Sequence, residues 1–554
     1  MKSAEALVKA LEENNVTLIF GLPGYNILDI YDVLRTSSIE HILVKHENAA
    51  AVMADAYGRL TGKPGTCLVT AGPGATNTVT GVAGAYAAAS PMLHITGHCS
   101  TQDRIQPFHG VDDWHYLQKI FAPITKWSRT IEKPEEIPKA IHKAFKIATT
   151  GRSGPVHLSI PVDILQIEVN YKADEAKIAE DKNERVDFDE IIKAIASSSK
   201  PVIIVGKGVL RTFSWIEATK LAENINAPIF NSRWGRSAIP FNHPLNVGYC
   251  FSSAFRRTTH PLVKELLNEA DMILTLGLEA GVRAMPDFTE TKDKMIIHIY
   301  QEDGQVGVFK SDNIMEINVP SLRKTIKEIG EKIKFKYKSS WNKLPERISS
   351  IKEKVEAELN EIIKENLENK PIHPAIICDL LQKVTEKDAI FTADIGSNFV
   401  WMETYFRTRS PNTFIISERF GSMGFALPAA IAAKKAYPER QVVAVSGDGG
   451  MLMTLSEIAT AVEQKLDLPI IIMNDSKYGI LWKIQQNRYG GRFFAVDLMH
   501  INFAECAKAL GAKGLRVEDP KDLRSTIEEA LLTKGPVIVD IVTNYKHDYY
   551  KYRV

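Results

Sequence analysis

The stretch Ser446-Gly447-Asp448-Gly449-Gly450 places a carboxylate in a glycine-rich turn, directly after an apolar run at residues 441–445. A second apolar run, residues 468–472, leads to Asp475, which lies 27 positions after Asp448. Both runs have the composition of short buried strands. The apolar segment between them, residues 452–466, is predicted to be a helix that crosses from one parallel strand to the next. Both carboxylates are then expected at the C-terminal edge of one sheet, where the ligands of open α/β sheets bind.

The chemistry of these residues points to an anion and a cation. The glycines let the backbone approach an anion, and the amides at the start of the following helix face it. Asp448 and Asp475 supply the hard oxygen ligands that Mg²⁺ prefers when it also binds phosphate. Gly-Asp-Gly alone is a weak signal, because it also forms plain strand-to-helix turns. With the second carboxylate, the sequence predicts a metal and phosphate crevice and leaves the identity of the ligand open.

Composition narrows the class of protein. At about 150 residues per domain, a chain of 554 residues is expected to form three or four domains. Its 68 Lys and Arg residues nearly balance 67 Asp and Glu residues, so no global field draws it to nucleic acid or to anionic lipid. The five cysteines are scattered without a C-x-x-C pair, which favours reduced thiols in a cytoplasmic protein. Neither an export signal nor an apolar membrane span is expected.

The chain repeats one pattern near its two ends. Residues 49–74 contain an alanine-rich helix, a Lys-Pro-Gly turn, an apolar strand and Gly-Pro-Gly. Residues 424–449 contain an alanine-rich helix, a Tyr-Pro turn, an apolar strand and Gly-Asp-Gly. A Gly-Pro followed by an apolar strand recurs at Gly154 and at Gly535, at nearly equal distances from the two glycine turns. These matched landmarks predict two copies of one α/β domain.

Between the copies, apolar strands at residues 200–205 and 271–276 each lead into glycine, which predicts a third α/β unit. Gly206-Lys207-Gly208 lacks the third glycine and the later acidic residue of a dinucleotide loop, so a structural turn is the favoured interpretation.

A lysine- and glutamate-rich segment follows the middle unit. Its apolar residues are spaced by three or four, which predicts an amphipathic connecting helix: Ile348, Ile351, Val355, Leu359 and Ile362. The predicted fold class is α/β, with three doubly wound parallel-sheet domains. We predict these domains at residues 1–170, 186–335 and 371–554, and a helical linker at 336–370.

Two further sites contain residues of catalytic or metal-binding type. Glu47 is predicted to lie at the end of a buried strand, residues 39–45, and to lead into an alanine-rich helix. Taken alone, a carboxylate favoured by the dipole of a helix start is more common than a catalytic one. His94 and His98 are four residues apart, but they belong to a predicted strand and its exit. They are therefore interpreted as core or loop histidines.

Several motifs together resemble the thiamine diphosphate enzymes, and among them the acetohydroxyacid synthase, pyruvate oxidase and benzoylformate decarboxylase group. Their characteristic motif begins with Gly-Asp-Gly and closes with Asn-Asn or Asn-Asp, as Asn474-Asp475 does here. Four other stretches match motifs of the group: residues 20–24, 46–50, 72–77 and 421–430. The resemblance covers nearly the whole chain. It implies a pyrimidine-binding domain, a Rossmann-like middle domain and a diphosphate-binding domain.

The resemblance assigns roles to individual residues. It implies that Glu47 exchanges a proton with the pyrimidine ring of the cofactor, as general acid-base catalysis requires. It implies that Met423 supports the bent cofactor and that the Gly421 carbonyl accepts from its amine. Mg²⁺ would be held by Asp448, Asp475 and the Lys477 carbonyl. The other expected cofactor-binding residues are Gly24, Pro73, Asn77, Gly396, Ser397, Asn398, Gly447, Gly449, Gly450, Tyr478, Gly479 and Ile480.

The implied activity is that of an acetolactate synthase-like carboligase, which depends on thiamine diphosphate and Mg²⁺. Such an enzyme decarboxylates a 2-oxo acid such as pyruvate and adds the two-carbon unit to a second carbonyl. His109 stands where these synthases carry glutamine in a substrate motif, and it is a candidate catalytic residue. One alternative is a non-oxidative 2-oxo acid decarboxylase, with His109 or His115 as proton donor. Another is a non-catalytic thiamine-binding subunit, which the presence of Glu47 and both metal carboxylates disfavours.

The resemblance also bears on flavin and on assembly. FAD is not expected, because Glu279 stands where the synthases carry arginine and would repel a phosphate. Gly248-Tyr249-Cys250 likewise lacks their Met-His-Gly pattern. The implied assembly is a homodimer, or a tetramer, in which Glu47 of one chain meets the cofactor held by Asp448 of another. A small regulatory subunit is left open.

Overall fold

The computed structural model describes residues 1–171, 187–250, 261–279, 293–301, 309, 311–334, 337 and 339–543. These residues form three six-stranded sheets. Every strand pair in the sheets is parallel. With helices flanking each sheet, this is the predicted α/β architecture of three parallel-sheet domains.

The first sheet is built from residues 18–161. Its strands are β1 (Leu18–Leu22), β2 (Glu40–Leu43), β3 (Gly65–Val69), β4 (Met92–His98), β5 (Trp127–Thr130) and β6 (Pro155–Pro161). Its helices are α1 (Ser3–Glu13), α2 (Leu28–Leu34), α3 (Glu47–Thr61), α4 (Pro73–Asn77), α5 (Val79–Ala87), α6 (Tyr116–Phe121) and α7 (Ile137–Thr149). The strand order is β2-β1-β3-β4-β6-β5.

The second sheet forms the middle domain. Its strands are β7 (Pro201–Val205), β8 (Ile229–Asn231), β9 (Asn246–Tyr249), β10 (Met272–Leu276), β11 (Met295–Tyr300) and β12 (Ile314–Asn318). Its helices are α8 (Phe188–Ser197), α9 (Lys207–Arg211), α10 (Trp215–Ile225), α11 (Pro261–Glu269) and α12 (Leu322–Ile333). The order β9-β8-β7-β10-β11-β12 is that of a Rossmann fold. Gly206 forms a tight turn, because a Cβ there would lie 2.2 Å from the Gly277 carbonyl oxygen.

One long helix, α13 (Leu344–Glu365), connects the second and third sheets. Its buried face consists of Leu344, Ile348, Ile351, Val355, Leu359 and Ile363. The amphipathic helix is thus confirmed, although at its end Ile363 is buried and Ile362 is only partly buried. The domain boundaries stay predictions, and four of them, 186, 335, 336 and 554, lie outside the described residues.

The third sheet contains β13 (Ile390–Ala393), β14 (Phe414–Ile416), β15 (Val442–Gly447), β16 (Leu468–Asn474), β17 (Lys513–Val517) and β18 (Pro536–Val542). Its helices are α14 (Pro374–Val384), α15 (Ser397–Tyr405), α16 (Ala426–Ala436), α17 (Asp448–Leu452), α18 (Glu457–Glu463), α19 (Gly479–Arg488), α20 (Phe503–Ala509) and α21 (Pro520–Leu532). The order β14-β13-β15-β16-β18-β17 repeats that of the first sheet, strand for strand. The internal repeat is therefore confirmed.

The two copies pack against each other through the matching helices α3 and α16. Ala50 and Ala54 of α3 and Ala430 and Ala433 of α16 are completely buried in one core that both domains share. Small side chains let two helices approach closely, which explains why both helices are rich in alanine. In the described part of the chain, no helix has the length and apolarity needed to cross a membrane.

The predicted single crossover helix at residues 452–466 is wrong. The segment contains the end of α17, a turn and the short helix α18. In the turn, the Met453 and Thr454 amides donate to carbonyls three residues back, at 3.2 and 3.1 Å. Thr454 and Ser456 have side chains that favour turns over helix interiors, which accounts for the interruption. The crossover still connects β15 to its parallel neighbour β16.

Candidate active site

A cavity of about 220 Å³ opens at the C-terminal edge of the third sheet. It lies at the turns that follow β13, β15 and β16 and beside the segment before α16. Fourteen of the residues that the sequence predicts for the site line this cavity: Gly396, Ser397, Asn398, Gly421, Met423, Gly447, Asp448, Gly449, Gly450, Asp475, Lys477, Tyr478, Gly479 and Ile480. The parallel sheet therefore brings together four stretches that are far apart in the sequence.

Two carboxylates meet at one backbone amide in this cavity. The Lys477 amide donates to Asp448 Oδ2 at 3.2 Å and to Asp475 Oδ1 at 3.1 Å. Burial raises the pKa of Asp448 to about 6. Burial, and then the charge of Asp448, raises the pKa of Asp475 well above its ordinary value. Two negative charges at this place are therefore unfavourable unless a cation accompanies them.

The donor set fits a hard metal ion that shares its coordination with a ligand. No group of three or more His, Cys, Asp or Glu side chains is placed to hold a metal, as far as the chain is described. Asp448, Asp475 and the Lys477 carbonyl would leave positions open, as Mg²⁺ requires when it binds phosphate oxygens. The Lys477 ammonium pairs with Asp497. Lys477 therefore contributes its main chain, and not its ammonium group, to the cavity.

The opposite wall of the cavity fits an anion. Ser397 Oγ is buried and has no hydrogen-bond partner among the described residues. Ser397 also begins α15, whose first amides are free to face a ligand. A Cβ on Gly479 would lie 2.4 Å from Ser397 Oγ and 3.1 Å from Asp475 Oδ2. The absence of a side chain at Gly479 therefore keeps the space between the serine and the carboxylate open.

Asn398 has a structural task in this wall. Its Nδ2 donates to the Asp394 carbonyl at 2.9 Å and to the Val445 carbonyl at 3.3 Å, so it ties β13 to β15. Its side-chain amide is thus occupied, and its backbone remains for a ligand. Asp394 was not predicted from the sequence. It is fully buried and accepts from the Phe425 amide at 2.6 Å and from Ser446 Oγ at 2.7 Å.

Trp401, which lines the cavity one turn beyond Asn398, was likewise not predicted from the sequence. A signal for Asp394 does exist, because it directly follows an apolar strand, as Asp448 and Asp475 do. A hydrophobic side chain such as Trp401 has no comparable signal, because its pattern is that of ordinary core.

Glu47 lies in a second cluster, in the first domain. Asn77 Nδ2 donates to Glu47 Oε2 at 2.9 Å, and a Cβ on Gly74 would lie 3.4 Å from Glu47 Oε1. The prediction that Glu47 ends a buried strand is wrong. Strand β2 ends at Leu43, and Glu47 is the first residue of α3, half-buried in the single chain.

The other first-domain candidates surround the end of β3. Gly24 packs against Thr70, since a Cβ on it would lie 2.5 Å from the Thr70 Cβ. Pro73 is the first residue of α4. His109 Nδ1 is 3.2 Å from Asn26 Oδ1. Among the described residues, the lining of the cavity in the third domain includes none from this domain.

His94 and His98 lie in β4 and are buried, as expected. His94 Nε2 is 3.0 Å from Thr78 Oγ1, and His98 Nε2 is 2.9 Å from the Trp114 carbonyl. These hydrogen bonds are typical of histidines in a protein core, which is the role predicted for both residues.

Glu279 has a different environment from the one expected. It is buried, pairs with Lys207, and lies 3.7 Å from Arg152 Nη2. Because two cations compensate its charge, repulsion of a phosphate is the wrong reason to exclude flavin. The described residues around Gly277, Glu279 and Lys207 enclose only about 50 Å³.

Family models match each of the three domains. The N-terminal TPP binding domain of thiamine pyrophosphate enzymes matches residues 1–119, and the C-terminal TPP binding domain matches residues 394–541. The central domain of the same enzymes matches residues 188–317. The cavity and the Glu47 cluster thus belong to two domains that bind thiamine diphosphate.

The chain is also similar to several proteins over nearly its whole length. It is 34% identical to a probable acetolactate synthase large subunit of Methanocaldococcus jannaschii, over 98% of this chain and 92% of that protein. It is 33% identical to an acetolactate synthase of Bacillus subtilis, over 98% of this chain and 93% of that protein. It is 28% identical to the acetolactate synthase isozyme 3 large subunit of Escherichia coli, over 96% of this chain and 92% of that protein. The chain therefore belongs to the thiamine pyrophosphate enzymes and, among them, to the acetolactate synthase family.

Proposed function

We propose that this protein is an acetolactate synthase that uses thiamine diphosphate and Mg²⁺. It decarboxylates pyruvate and joins the two-carbon unit to a second 2-oxo acid. The observation that carries the proposal is the cavity in which the Asp448 and Asp475 carboxylates face the open Ser397 hydroxyl. Its support is the membership of the chain in the acetolactate synthase family.

The cavity residues bind the charged end of the cofactor. Asp448, Asp475 and the Lys477 carbonyl would hold Mg²⁺, whose charge would offset both the carboxylates and the diphosphate. Ser397 Oγ and the first amides of α15 donate to the diphosphate oxygens. The Gly421 carbonyl and Met423 hold the organic part of the cofactor. When bound, thiamine diphosphate supplies a nucleophilic carbon and accepts the electron pair released with CO₂.

Glu47 carries the proton that the pyrimidine ring exchanges. Asn77 holds one carboxylate oxygen of Glu47, which leaves the other for the cofactor. Because the lining of the cavity includes no described residue of the first domain, we propose that Glu47 reaches the cofactor of a second chain. His109 lies beside the Gly72 turn and contributes to the substrate side of this shared site.

The exposed apolar side chains support this assembly. Leu28 and Phe108 of the first domain and Phe420, Leu452 and Leu481 of the third are large, apolar and exposed in the single chain. Contiguous apolar surface marks protein interfaces, and we propose that these side chains form such a surface where two chains meet. We propose a homodimer, or a tetramer built from it, with the active sites between chains. Because several relatives are named large subunits, a smaller companion chain is part of the proposal.

The proposed activity requires no flavin. The space of about 50 Å³ that the described residues enclose beside Lys207 and Glu279 is much smaller than the cavity of about 220 Å³ in the third domain. A purified protein that is colourless and fully active without added FAD would agree with this. A stoichiometric flavin spectrum would contradict it.

Product analysis tests the proposed function. The purified protein is incubated with carbon-13-labelled pyruvate, thiamine diphosphate and Mg²⁺, and the products are identified by nuclear magnetic resonance. We expect acetolactate from the wild type and no product from Asp448→Ala. Acetaldehyde as the main product would replace the proposal with a non-oxidative decarboxylase. Cofactor binding without turnover of any 2-oxo acid would indicate a non-catalytic subunit.

A further inference from the structure

The segment at residues 417–423, here called the cofactor loop, connects β14 to α16 and carries two residues that line the cavity, Gly421 and Met423. Three hydrogen bonds close it into a turn. The Gly421 amide donates to the Ser417 carbonyl at 2.8 Å, the Ser422 amide donates to Ser417 Oγ at 2.9 Å, and the two serine hydroxyls are 2.6 Å apart. The position of Ser417 therefore determines where Gly421 lies.

Glu418, the next residue, anchors this turn in the protein interior. Its side chain is 7% exposed and its φ is +20°, a value that residues other than glycine rarely adopt. Such a backbone persists only where the surroundings hold it in place. The carboxylate pairs with Arg211 and also lies 3.4 Å from Arg59 Nη1 and 3.5 Å from Lys207 Nζ.

The three cations come from the other two domains. Arg59 belongs to α3 of the first domain, and Lys207 and Arg211 belong to α9 of the middle domain. Each is fixed by a further contact. Arg59 Nε donates to Asp55 Oδ1 at 2.7 Å, Lys207 Nζ to the Ala87 carbonyl at 2.5 Å, and Arg211 Nε to the Ala88 carbonyl at 2.8 Å. The carboxylate is thus held by a frame that does not belong to its own domain.

The electrostatics favour an ionised Glu418. Burial acts to raise its pKa, but Arg211, Arg59 and Lys207 outweigh burial, and the pKa is lowered from its ordinary value. A neutral side chain at this position would leave buried cations without their counter-charge, which is costly. The contact therefore depends on the charge of Glu418 and not only on its shape.

We propose that Glu418 is a positioning residue, which fixes the cofactor loop to the other two domains so that Gly421 and Met423 keep their places in the cavity. The inference rests on the proposed thiamine diphosphate site. It adds that the affinity for this cofactor is set partly by a carboxylate that never touches it.

Glu279 offers a matched control for Glu418. Both are buried carboxylates, and both pair with Lys207, but Glu279 lies outside the cofactor loop. Glu418→Gln and Glu279→Gln each remove one charge from the same cluster, so both should lower the melting temperature. Thiamine diphosphate binding in the presence of Mg²⁺ is then measured by calorimetry and by the change in tryptophan fluorescence, to which Trp401 in the cavity contributes.

We expect Glu418→Gln to weaken cofactor binding at least tenfold and to raise the cofactor KM more than it lowers kcat. Glu279→Gln should stay within about twofold of the wild type in both measurements. Equal cofactor affinity in the two variants would overturn the positioning role. Failure of the wild type to bind thiamine diphosphate would instead overturn the proposed function.

A pair of double variants tests the positioning role of Glu418 if Glu418→Gln does not fold. Arg211→Met/Glu418→Gln removes a directly contacting ion pair as a whole, so the net charge of the cluster is unchanged and Arg211 is not left buried without its counter-charge. Its control is Lys207→Met/Glu279→Gln, which has the same net charge and an intact cofactor loop. A tenfold difference in cofactor affinity between these two supports the role of Glu418, and equal affinities refute it.

Discussion

Glu47 is the residue on which the proposed chemistry depends most directly. We expect Glu47→Gln to keep the fold and cofactor affinity and to lower kcat more than tenfold, because glutamine cannot exchange the proton. A tenfold loss corresponds to about 1.4 kcal/mol of transition-state stabilisation. Steady-state kinetics on pyruvate measure the effect. The control is Glu40→Gln, which should be fully active: Glu40 is a surface carboxylate in the same domain as Glu47, and it pairs with Lys435 of the third domain.

The Asp448 and Asp475 pair predicts how the stability of the cofactor-free protein depends on pH. The pKa of Asp448 is raised to about 6 in the folded chain, above the value of about 4 for the unfolded chain. Its contribution to stability is therefore fully present below about pH 4 and is lost as the pH rises through 6. Above that, ionised Asp448 destabilises the fold that lacks a cation.

Asp448→Asn should consequently stabilise the cofactor-free protein by about 1–3 kcal/mol at pH 8 and have little effect at pH 4. Chemical denaturation at several pH values, with a chelator present, measures this. The same variant should lose the stabilisation that Mg²⁺ with thiamine diphosphate gives to the wild type. A variant that is less stable than the wild type at every pH would show that ionised Asp448 and Asp475 do not destabilise the cofactor-free protein.

At the scale of elements, the glycine turns after the strands determine what the cavity can hold. Gly479→Ala would place a Cβ 2.4 Å from Ser397 Oγ, so we expect at least tenfold weaker cofactor binding in a folded protein. Gly330→Ala in α12 is the control, since its Cβ would meet no atom of the described residues closer than 3.9 Å. That change should preserve binding and add about 0.5–1 kcal/mol of stability. Unchanged calorimetric affinity in Gly479→Ala would place the diphosphate elsewhere.

Strands and glycine turns could be predicted because their signals are local. The apolar runs before Asp448 and Asp475 are strands, and both carboxylates lie at the same sheet edge. The crossover between them could not be predicted in detail, because Thr454 and Ser456 interrupt a run whose hydrophobicity is that of a helix. The sequence also does not show where strand β2 ends. The strand stops at Leu43, before its apolar run does, so Glu47 lies beyond the strand and not at its end.

Contacts that span the chain could not be predicted at all. Glu418 meets Arg59 and Arg211, which are 359 and 207 positions away in the sequence. No periodicity connects such residues, and each alone is typical of a solvated surface charge. The internal repeat was the one long-range feature visible in the sequence, because both copies carry the same order of helix, turn, strand and glycine.

At the scale of the whole molecule, the two clusters predict that one active site needs two chains. Glu47→Gln and Asp448→Ala chains are each expected to be inactive alone. After subunit exchange in a mixture of equal amounts, half of the dimers contain one chain of each kind, and each of these has one intact site. About a quarter of wild-type activity should therefore return. A mixture that stays inactive, although mass spectrometry confirms the exchange, would contradict a shared site.

The carbon balance with pyruvate as the sole substrate distinguishes a carboligase from a simple decarboxylase. Carboligation consumes two pyruvates for each CO₂ released, whereas simple decarboxylation releases one CO₂ for each pyruvate. The measurement follows both compounds in one reaction that contains the wild-type protein, thiamine diphosphate and Mg²⁺. We expect a carboligase to release about 0.5 CO₂ per pyruvate, half the value for a simple decarboxylase. A ratio of about 1 would contradict it.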